Sequence, residues 1–147
     1  MPTEEAIVLV GGLGTRLRAV VSDVPKPLAQ VAGRPFLAWV LDHLAENGMR
    51  RVLLATGHMA GAVEAAIGHT WSGMEVAYSV EDQPLGTGGA VRLAAARLGG
   101  DCAHVLNGDT FLRYSPAGLE QATRGLGALA GVALAEVGDV ARYGSVE

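Results

Sequence analysis

The sequence predicts an α/β fold of the Rossmann-like, doubly wound type, with a mostly parallel sheet and helices on both of its faces. Apolar runs suited to buried strands alternate along the chain with segments of helical periodicity. This succession of strand, helix and strand favours right-handed crossovers and parallel pairing. Glycine-rich or polar turns follow several of the predicted strands, at the edge where doubly wound folds form their ligand crevice.

The predicted strands are short apolar segments. Ala6 to Val10 is a continuous apolar run that ends in glycines, as in a buried parallel strand leading into a tight loop. The other strand candidates are Arg51–Thr56, Glu75–Val80, His104–Leu106 and Ala128–Val137.

The helices are predicted from the spacing of apolar positions and from residues typical of helix ends. A helix from Pro35 to Asn47 has an apolar stripe, a proline in its first turn and Gly48 at its C-terminal cap. The other predicted helices are Ala60–Ile67, which Gly68 ends, a helix capped by Thr87 that continues through Leu98, and one that begins at Ser115-Pro116.

Composition indicates one ordered domain over residues 1–147. Hydrophobic residues make up 50% of the chain and mean hydropathy is +0.30, which suits a sizeable core. A net charge of −4 and the lack of any basic run argue against a nucleic-acid or membrane-surface partner. The single cysteine, Cys102, excludes an internal disulfide, and no stretch reads as a signal peptide or membrane span, so we expect a cytoplasmic protein.

The loop after the first predicted strand is rich in glycine and has the sequence Gly11-Gly12-Leu13-Gly14-Thr15-Arg16. Glycines let backbone N–H groups approach a phosphate, although such a loop alone is equally compatible with a structural turn. It lacks the Gly-Lys-Ser/Thr ending of a Walker A loop, and Leu17 stands where a dinucleotide fingerprint needs glycine. Thr15 and Arg16 add a hydroxyl and a guanidinium, which favours a phosphate site.

Lys26 is the only lysine among the eleven basic residues, and it lies between two prolines in Pro25-Lys26-Pro27. An ammonium is a compact charge on a thin stem, whereas a guanidinium is planar and forked. One lysine in a chain that otherwise uses arginine therefore indicates a crowded anion, and the prolines restrict its backbone. Together with the glycine loop, Lys26 predicts a cradle for a polyphosphate.

The glycine loop and the lysine segment belong to a longer set of motifs. These are the run Val10 to Arg18, Asp23-Val24-Pro25-Lys26-Pro27-Leu28, Gly33-Arg34-Pro35, the run Glu81 to Ala90, Asn107-Gly108-Asp109 and Tyr143-Gly144. The set resembles the signature of the sugar-phosphate nucleotidyltransferases, and it extends over essentially the whole chain. The segment Gly11 to Pro27 is most similar to the branch that transfers guanylyl groups to D-glycero-α-D-manno-heptose 1-phosphate. Mannose-1-phosphate guanylyltransferases and glucose-1-phosphate thymidylyltransferases are close alternatives.

The resemblance implies transfer of a nucleotidyl group from a nucleoside triphosphate to a sugar 1-phosphate, which releases pyrophosphate and forms a nucleotide sugar for glycan synthesis. The attacking phosphate oxygen is already ionised near neutral pH, so catalysis depends on alignment and charge neutralisation. The implied catalytic residues are Arg16, at the β and γ phosphates, and Lys26, at the α-phosphate and the sugar phosphate. The two substrates are the expected partners, and whether the chain forms homo-oligomers is left open.

The resemblance also implies a Mg²⁺ site at Asp109. Mg²⁺ prefers oxygen ligands and usually takes one or two carboxylates together with substrate phosphates. The alternative from the residues alone is a turn in which the aspartate hydrogen-bonds to nearby backbone. The family's second metal aspartate and its Glu-Lys-Pro sugar-binding segment lie beyond the position of Glu147, so we expect further residues to complete the domain.

The remaining implied residues contact the nucleotide and the sugar. They are Leu9, Gly11, Gly12, Gly14, Thr15, Glu81, Gly86 and Thr87 for the nucleotide, and Asn107, Gly108, Tyr143 and Gly144 for the sugar. Glu81 stands where the thymidylyltransferases carry a glutamine. A carboxylate only accepts hydrogen bonds and guanine offers two adjacent donors, so Glu81 favours GTP, unless it is simply an exposed loop residue. Among the histidines, only His58 is placed after a strand to face the crevice.

Two other classes of protein compete with this interpretation. A non-catalytic, nucleotide-sugar-binding regulatory subunit shares the fold, but the intact Arg16, Lys26 and Asp109 count against it. A dinucleotide-dependent oxidoreductase is disfavoured by the glycine spacing, and because the strand Arg51–Thr56 does not end in an acidic residue.

Overall fold

The computed structural model describes residues 2–12, 24–141 and 146. The strands are β1 (Glu5–Leu9), β2 (Gln30–Val31), β3 (Arg34–Pro35), β4 (Arg51–Thr56), β5 (Thr70–Trp71), β6 (Met74–Val80) and β7 (His104–Asn107). The helices are α1 (Phe36–Glu46), α2 (Ala60–Ile67), α3 (Gly86–Ala95) and α4 (Pro116–Gly125), and a short 3-10 turn covers Lys26–Leu28. Within the described ranges, no helix is long and apolar enough to cross a membrane.

The main sheet has the strand order β5-β6-β4-β1-β7. Strands β6, β4, β1 and β7 are parallel, and β5 pairs antiparallel with β6. The chain builds outward from β1 through β4 to β6 and then crosses to the other side of β1 to form β7. Such a reversal creates a crevice beyond the carboxyl ends of the two strands that flank it, which are β1 and β7 here.

Helices cover both faces of this sheet, which confirms the predicted doubly wound fold. One apolar cluster joins α1 and α2 to alternate residues of β1 and β4, such as Val8 and Leu54. The other cluster packs Ala90 and Ala94 of α3 against Ile7 and Leu53, on the opposite face. Burial on both faces explains why β1 and β4 are nearly continuous apolar runs rather than alternating ones.

The amino ends of the strands are tied together by the carboxylate of Glu5. It accepts hydrogen bonds from the backbone N–H groups of Gly99 and Gly100 at 2.8–3.0 Å and from Arg51 Nη1 at 3.1 Å. Burial alone would raise the pKa of Glu5, but these hydrogen bonds outweigh it and hold the pKa below its ordinary value. The contacts join β1, β4 and the turn after α3 at the edge opposite the crevice.

Several predicted elements are confirmed closely. Strand β4 and helix α2 have the predicted bounds, and α1 begins and ends one residue inside the predicted range. Ser115 is the N-cap of α4, where its hydroxyl accepts a hydrogen bond from the backbone N–H of Gly118 at 3.1 Å.

The predicted start of α3 is wrong, because Thr87 lies inside the helix rather than at its cap. The helix begins at Gly86 and ends at Ala95, short of Leu98. The preceding backbone N–H, that of Leu85, donates to the Glu81 carboxylate at 3.0 Å. This bond satisfies the backbone donor of the N-cap residue Leu85, which provides no side-chain cap to the first turn of the helix.

The predicted strand Ala128–Val137 is also wrong. The structure assigns no strand to this segment, and Leu129 and Val132 are 106% and 76% exposed. Apolar composition gives a strand only where a neighbouring strand pairs with its backbone, and among the described residues none does so here. The fifth strand of the sheet is instead the two-residue β5.

Candidate active site

A cleft of about 960 Å³ opens at the carboxyl ends of β1, β4, β6 and β7, where the strand order predicts it. Its volume lies within the range of small-molecule sites. The predicted site residues that line it are Leu9, Gly11, Gly12, Lys26, Glu81, Gly86, Thr87, Asn107 and Asp109. Residues distant in sequence are thus brought together around one cavity.

Other predicted site residues do not line the cleft or cannot be assessed. Gly108 is buried beneath the cleft, between Asn107 and Asp109. Residues Gly14, Thr15, Arg16, Tyr143 and Gly144 lie outside the described residues, so their predicted roles stay predictions.

The start of the glycine loop is held close to the end of β4. The backbone N–H of Val10 donates to Ala55 O at 2.9 Å. A Cβ at Gly11 would lie 3.4 Å from Gly57 N and 3.5 Å from Ala55 O, which is ordinary van der Waals contact, so the two segments pass closely but leave room for a small side chain. Gly11 and Gly12 line the cleft directly after β1.

Lys26 and Asp109 form an ion pair within the cleft. Lys26 Nζ lies 2.5 Å from Asp109 Oδ2, and the two side chains are 40% and 35% exposed. The other oxygen, Asp109 Oδ1, accepts a hydrogen bond from Thr110 Oγ1 at 3.3 Å. The predicted phosphate-binding ammonium and the predicted metal-binding carboxylate are therefore direct neighbours.

The backbone of Lys26 is fixed by the turn that carries it. The N–H of Leu28 donates to Pro25 O at 2.8 Å, and Pro27 and Leu28 are both buried. Leu28 packs in the core cluster of α1 and β1. Because the turn is anchored and bounded by prolines, only the lysine side chain is free to change position.

The position of Asp109 depends on its neighbour Gly108. The N–H of Gly108 donates to Leu9 O at 2.8 Å. A Cβ at residue 108 would lie 2.6 Å from Val10 Cγ1 and 3.0 Å from Leu9 O. The loop after β7 can therefore lie flat on β1 only if this residue has no side chain.

We expect Gly108→Ala to lower the free energy of unfolding by about 1–3 kcal/mol, because the added methyl overpacks against Val10 and Leu9. Gly61→Ala is the matched control, since a Cβ at this position in α2 meets nothing within 4 Å. It should instead raise stability, by up to about 1 kcal/mol, through helix propensity. Urea unfolding monitored by circular dichroism measures the free energy of unfolding of both variants. Equal values for the two would contradict the packing argument.

The loop that follows Asp109 is anchored by aromatic contacts. The ring of Phe111 lies 5.6 Å from that of His43, and the ring of Tyr114 lies 5.7 Å from His43 and 6.3 Å from His104. Burial lowers the pKa of His104, although the charge of Glu120 acts in the opposite direction. A neutral imidazole suits this packing, which holds the chain beyond Asp109 against α1 and β7.

Glu81 lies where β6 leaves the sheet, and its backbone is held by an N–H bond to Thr56 O at 2.8 Å. Its carboxylate Oε2 accepts from the Leu85 N–H at 3.0 Å. Since that bond uses one oxygen, the carboxylate is oriented by the start of α3. Glu81 therefore has a fixed acceptor group at the wall of the cleft.

The structure adds lining residues that the sequence analysis did not single out. These are Ala55 and Gly57, and His58 lines the cleft as expected. Six further lining residues belong to the motif segments but were given no individual role: Val10, Pro27, Asp82, Gln83, Pro84 and Ala90. Gly57 follows the carboxyl end of β4 directly, so the rule that ligands bind at carboxyl ends of strands was a usable signal for it.

Comparison with known proteins identifies the class of protein that this fold and cleft define. A family model described as "Nucleotidyl transferase" matches residues 5–147. The chain therefore belongs to the nucleotidyl transferase family, which confirms the resemblance found in its motifs.

Among curated relatives, two D-glycero-alpha-D-manno-heptose 1-phosphate guanylyltransferases are similar to this chain. That of Aneurinibacillus thermoaerophilus is 43% identical over 107 residues, which cover 73% of this chain and 46% of the relative. That of Campylobacter jejuni is 35% identical over 142 residues, which cover 97% and 62%. The chain thus spans about half the length of the curated relatives it matches.

A solved structure gives the same result for the fold. The crystal structure of HddC from Yersinia pseudotuberculosis complexed with GMP-PN superimposes with a TM-score of 0.75 at 30% sequence identity. The match covers 82% of this chain and 54% of that chain.

Proposed function

We propose that the protein transfers a guanylyl group from GTP to a manno-heptose 1-phosphate, forming a nucleotide sugar and releasing pyrophosphate. The observation that carries this proposal is the cleft at the carboxyl ends of the parallel strands, which is lined by the Lys26–Asp109 pair and by Glu81. Family membership supports the reaction class, and the two guanylyltransferase relatives support the substrates. Cytoplasmic location is proposed with it.

Lys26 is proposed to act on the reacting phosphates. Its ammonium stands at the rim of the cleft on an anchored turn, within reach of an anion that enters between the glycine loop and Asp109. There it neutralises the charge that is redistributed as the sugar phosphate oxygen bonds to the α-phosphorus and the bond to pyrophosphate breaks. The proposed partner of Lys26 is Arg16, which binds the β and γ phosphates.

Asp109 is proposed to hold Mg²⁺ just beyond the carboxyl end of β7, and the neighbouring Asn107 is proposed to contact the sugar. A side-chain carboxylate at the cleft wall, already paired with a cation, has the oxygen chemistry that this ion requires. Mg²⁺ bound there would neutralise the phosphates and orient them. Among the described residues, no group of three or more acidic, histidine or cysteine side chains converges on one point, so the phosphates are proposed to complete the coordination.

Glu81 is proposed to select guanine. Its Oε2 accepts from the Leu85 N–H, which orients the carboxylate at the cleft wall. Guanine presents N1–H and a 2-amino group side by side, whereas uracil and thymine present one N–H between two carbonyls. An acceptor-only group therefore matches guanine better than either pyrimidine.

The test of this function is pyrophosphate release by the whole protein across GTP, dTTP, UTP, CTP and ATP, each with manno-heptose, mannose and glucose 1-phosphates. We expect the highest kcat/KM for GTP with the heptose phosphate. A preference for dTTP would reject the guanylyl assignment. Binding of nucleotide sugar without any pyrophosphate release would instead support the regulatory alternative.

Glu81→Gln should lower the ratio of kcat/KM for GTP over dTTP by roughly ten- to a hundredfold. If the glutamine carbonyl keeps the bond to Leu85, its amide donor faces the guanine donors, and that contact is repulsive. Asp82→Asn is the matched control, because it removes an equal charge from the neighbouring position in the same cleft. An equal loss in both variants would show that charge, not base reading, sets the preference.

A further inference from the structure

In the proposed function Lys26 binds anionic phosphates and Asp109 binds a metal cation. In the structure the two side chains form an ion pair with each other. The ammonium lies 2.5 Å from Asp109 Oδ2, and Thr110 Oγ1 donates to Oδ1. Both oxygens of the carboxylate therefore have donors. An ammonium in this position stands where a cation bound by Asp109 would stand, and a metal ion at about 2.1 Å from the same oxygen would have to replace it.

We infer that Lys26 is an internal counter-cation of Asp109 in the nucleotide-free state and leaves this carboxylate for the phosphates when a metal-bound nucleotide enters the cleft. The inference rests on the proposed metal role of Asp109. According to this inference the ion pair is a switch: when the metal binds to Asp109, Lys26 is released and can bind the phosphates.

The exposure of the pair favours such an exchange. The side chains are 40% and 35% exposed, and ion pairs with this access to solvent are weakly held. The turn of Lys26 is anchored by the buried Pro27 and Leu28, so the exchange needs only rotation of a flexible four-carbon stem. The movement is small, and the backbone need not change.

The charges of Lys26, Asp109, the metal and the triphosphate favour breaking the ion pair only when metal and nucleotide bind together. A bare divalent ion finds no group of three or more acidic, histidine or cysteine ligands among the described residues, and at Asp109 it must displace an ammonium that then repels it. A metal-bound triphosphate brings oxygen ligands for the metal and an anion for Lys26. The Asp109 carboxylate is thus neutralised by Lys26 before the nucleotide binds and by the metal afterwards. A metal ion without nucleotide is expected to bind poorly.

The first test measures Mn²⁺ binding to the whole, nucleotide-free protein by electron paramagnetic resonance. Lys26→Met keeps most of the side-chain length but removes the charge, and it should tighten Mn²⁺ binding about tenfold. Arg92→Met, at an exposed position of α3, is the control for loss of any positive charge and should change the affinity far less. Unchanged or weaker Mn²⁺ binding in Lys26→Met would overturn the inference.

A double variant tests whether the gain in Mn²⁺ affinity depends on Asp109. In an Asp109→Asn background, Lys26→Met should give no gain in Mn²⁺ affinity, because the carboxylate for which lysine and metal compete is gone. A tenfold gain that persists in this background would show that Lys26 acts elsewhere and would reject the competition.

The second test follows the lysine itself by NMR of protein labelled with ¹³C at lysine Cε, with the signal assigned by its loss in Lys26→Met. We expect the signal to shift on addition of Mg²⁺ with GTP, and to shift much less with Mg²⁺ alone. An unchanged signal with bound GTP would mean that the ion pair persists and would overturn the switch. Failure of GTP to bind counts against the proposed function only, and the Mn²⁺ comparison then decides the inference.

Discussion

Replacing Lys26 with alanine is expected to lower kcat by roughly two orders of magnitude or more. The ammonium is proposed to act at the phosphate oxygens as bonds form and break, where a positioned charge contributes about 3–4 kcal/mol to the barrier. KM for the triphosphate should change less than kcat, because the other residues proposed for the phosphate cradle would still bind it. Pyrophosphate release under saturating substrates measures the effect.

Lys26→Arg is the informative control, since it keeps the charge but not the shape. The guanidinium spreads its charge over a planar fork instead of the compact point charge of Lys26 Nζ, so we expect poor rescue at the reacting phosphates. The melting temperatures of both variants should stay close to that of the wild type, because the side chain is 40% exposed and its ion pair contributes little to stability. Near wild-type turnover in either variant would remove Lys26 from the mechanism.

The parts of the fold that sequence predicts well are those specified locally. Helix α1 is marked by its apolar spacing, by Pro35 and by Gly48, and these signals act within one element. The hairpin of β5 and β6 also has a local signal that the sequence analysis missed. Ser72 and Gly73 both adopt positive φ, as a two-residue hairpin turn requires.

The parts that sequence could not predict depend on contacts between distant residues. Thr87 is a plausible cap by type, but the helix already begins at Gly86, after a turn in which the Glu81 carboxylate accepts from the Leu85 N–H. The segment Ala128–Val137 has strand composition, but no described neighbour pairs with it. Strand formation is therefore a property of the pair rather than of the segment.

The candidate site shows the same division. The motifs predicted that Lys26, Glu81 and Asp109 are functional, because glycine loops and polar turns at strand ends are visible in the sequence. The ion pair between Lys26 and Asp109 joins residues 83 positions apart, so only the folded sheet reveals it. Because of that contact, the predicted phosphate-binding role of Lys26 and the predicted metal-binding role of Asp109 have to be tested together.

Asp109→Asn is expected to lower kcat/KM by about two orders of magnitude or more, because a neutral amide keeps the shape of the side chain but not the charge proposed to hold Mg²⁺. Excess Mg²⁺ should restore activity only in part, by binding to the triphosphate without being fixed to β7. Asp101→Asn, at an exposed turn before β7, is the matched control and should retain activity. The measurement is kcat/KM as a function of Mg²⁺ concentration.

The ion pair must be considered when Asp109→Asn is used to distinguish a metal-binding role of Asp109 from a structural one. Because this exposed ion pair contributes little to stability, an aspartate that served only as the partner of Lys26 would leave both the melting temperature and the Mg²⁺ dependence nearly unchanged. A metal-binding aspartate shifts the Mg²⁺ concentration for half-maximal activity upward, with little change in melting temperature. If the double variant Lys26→Ala/Asp109→Asn loses far less activity than the product of the two single losses, the residues act as one unit. A simple product would show that ammonium and carboxylate contribute independently to the reaction.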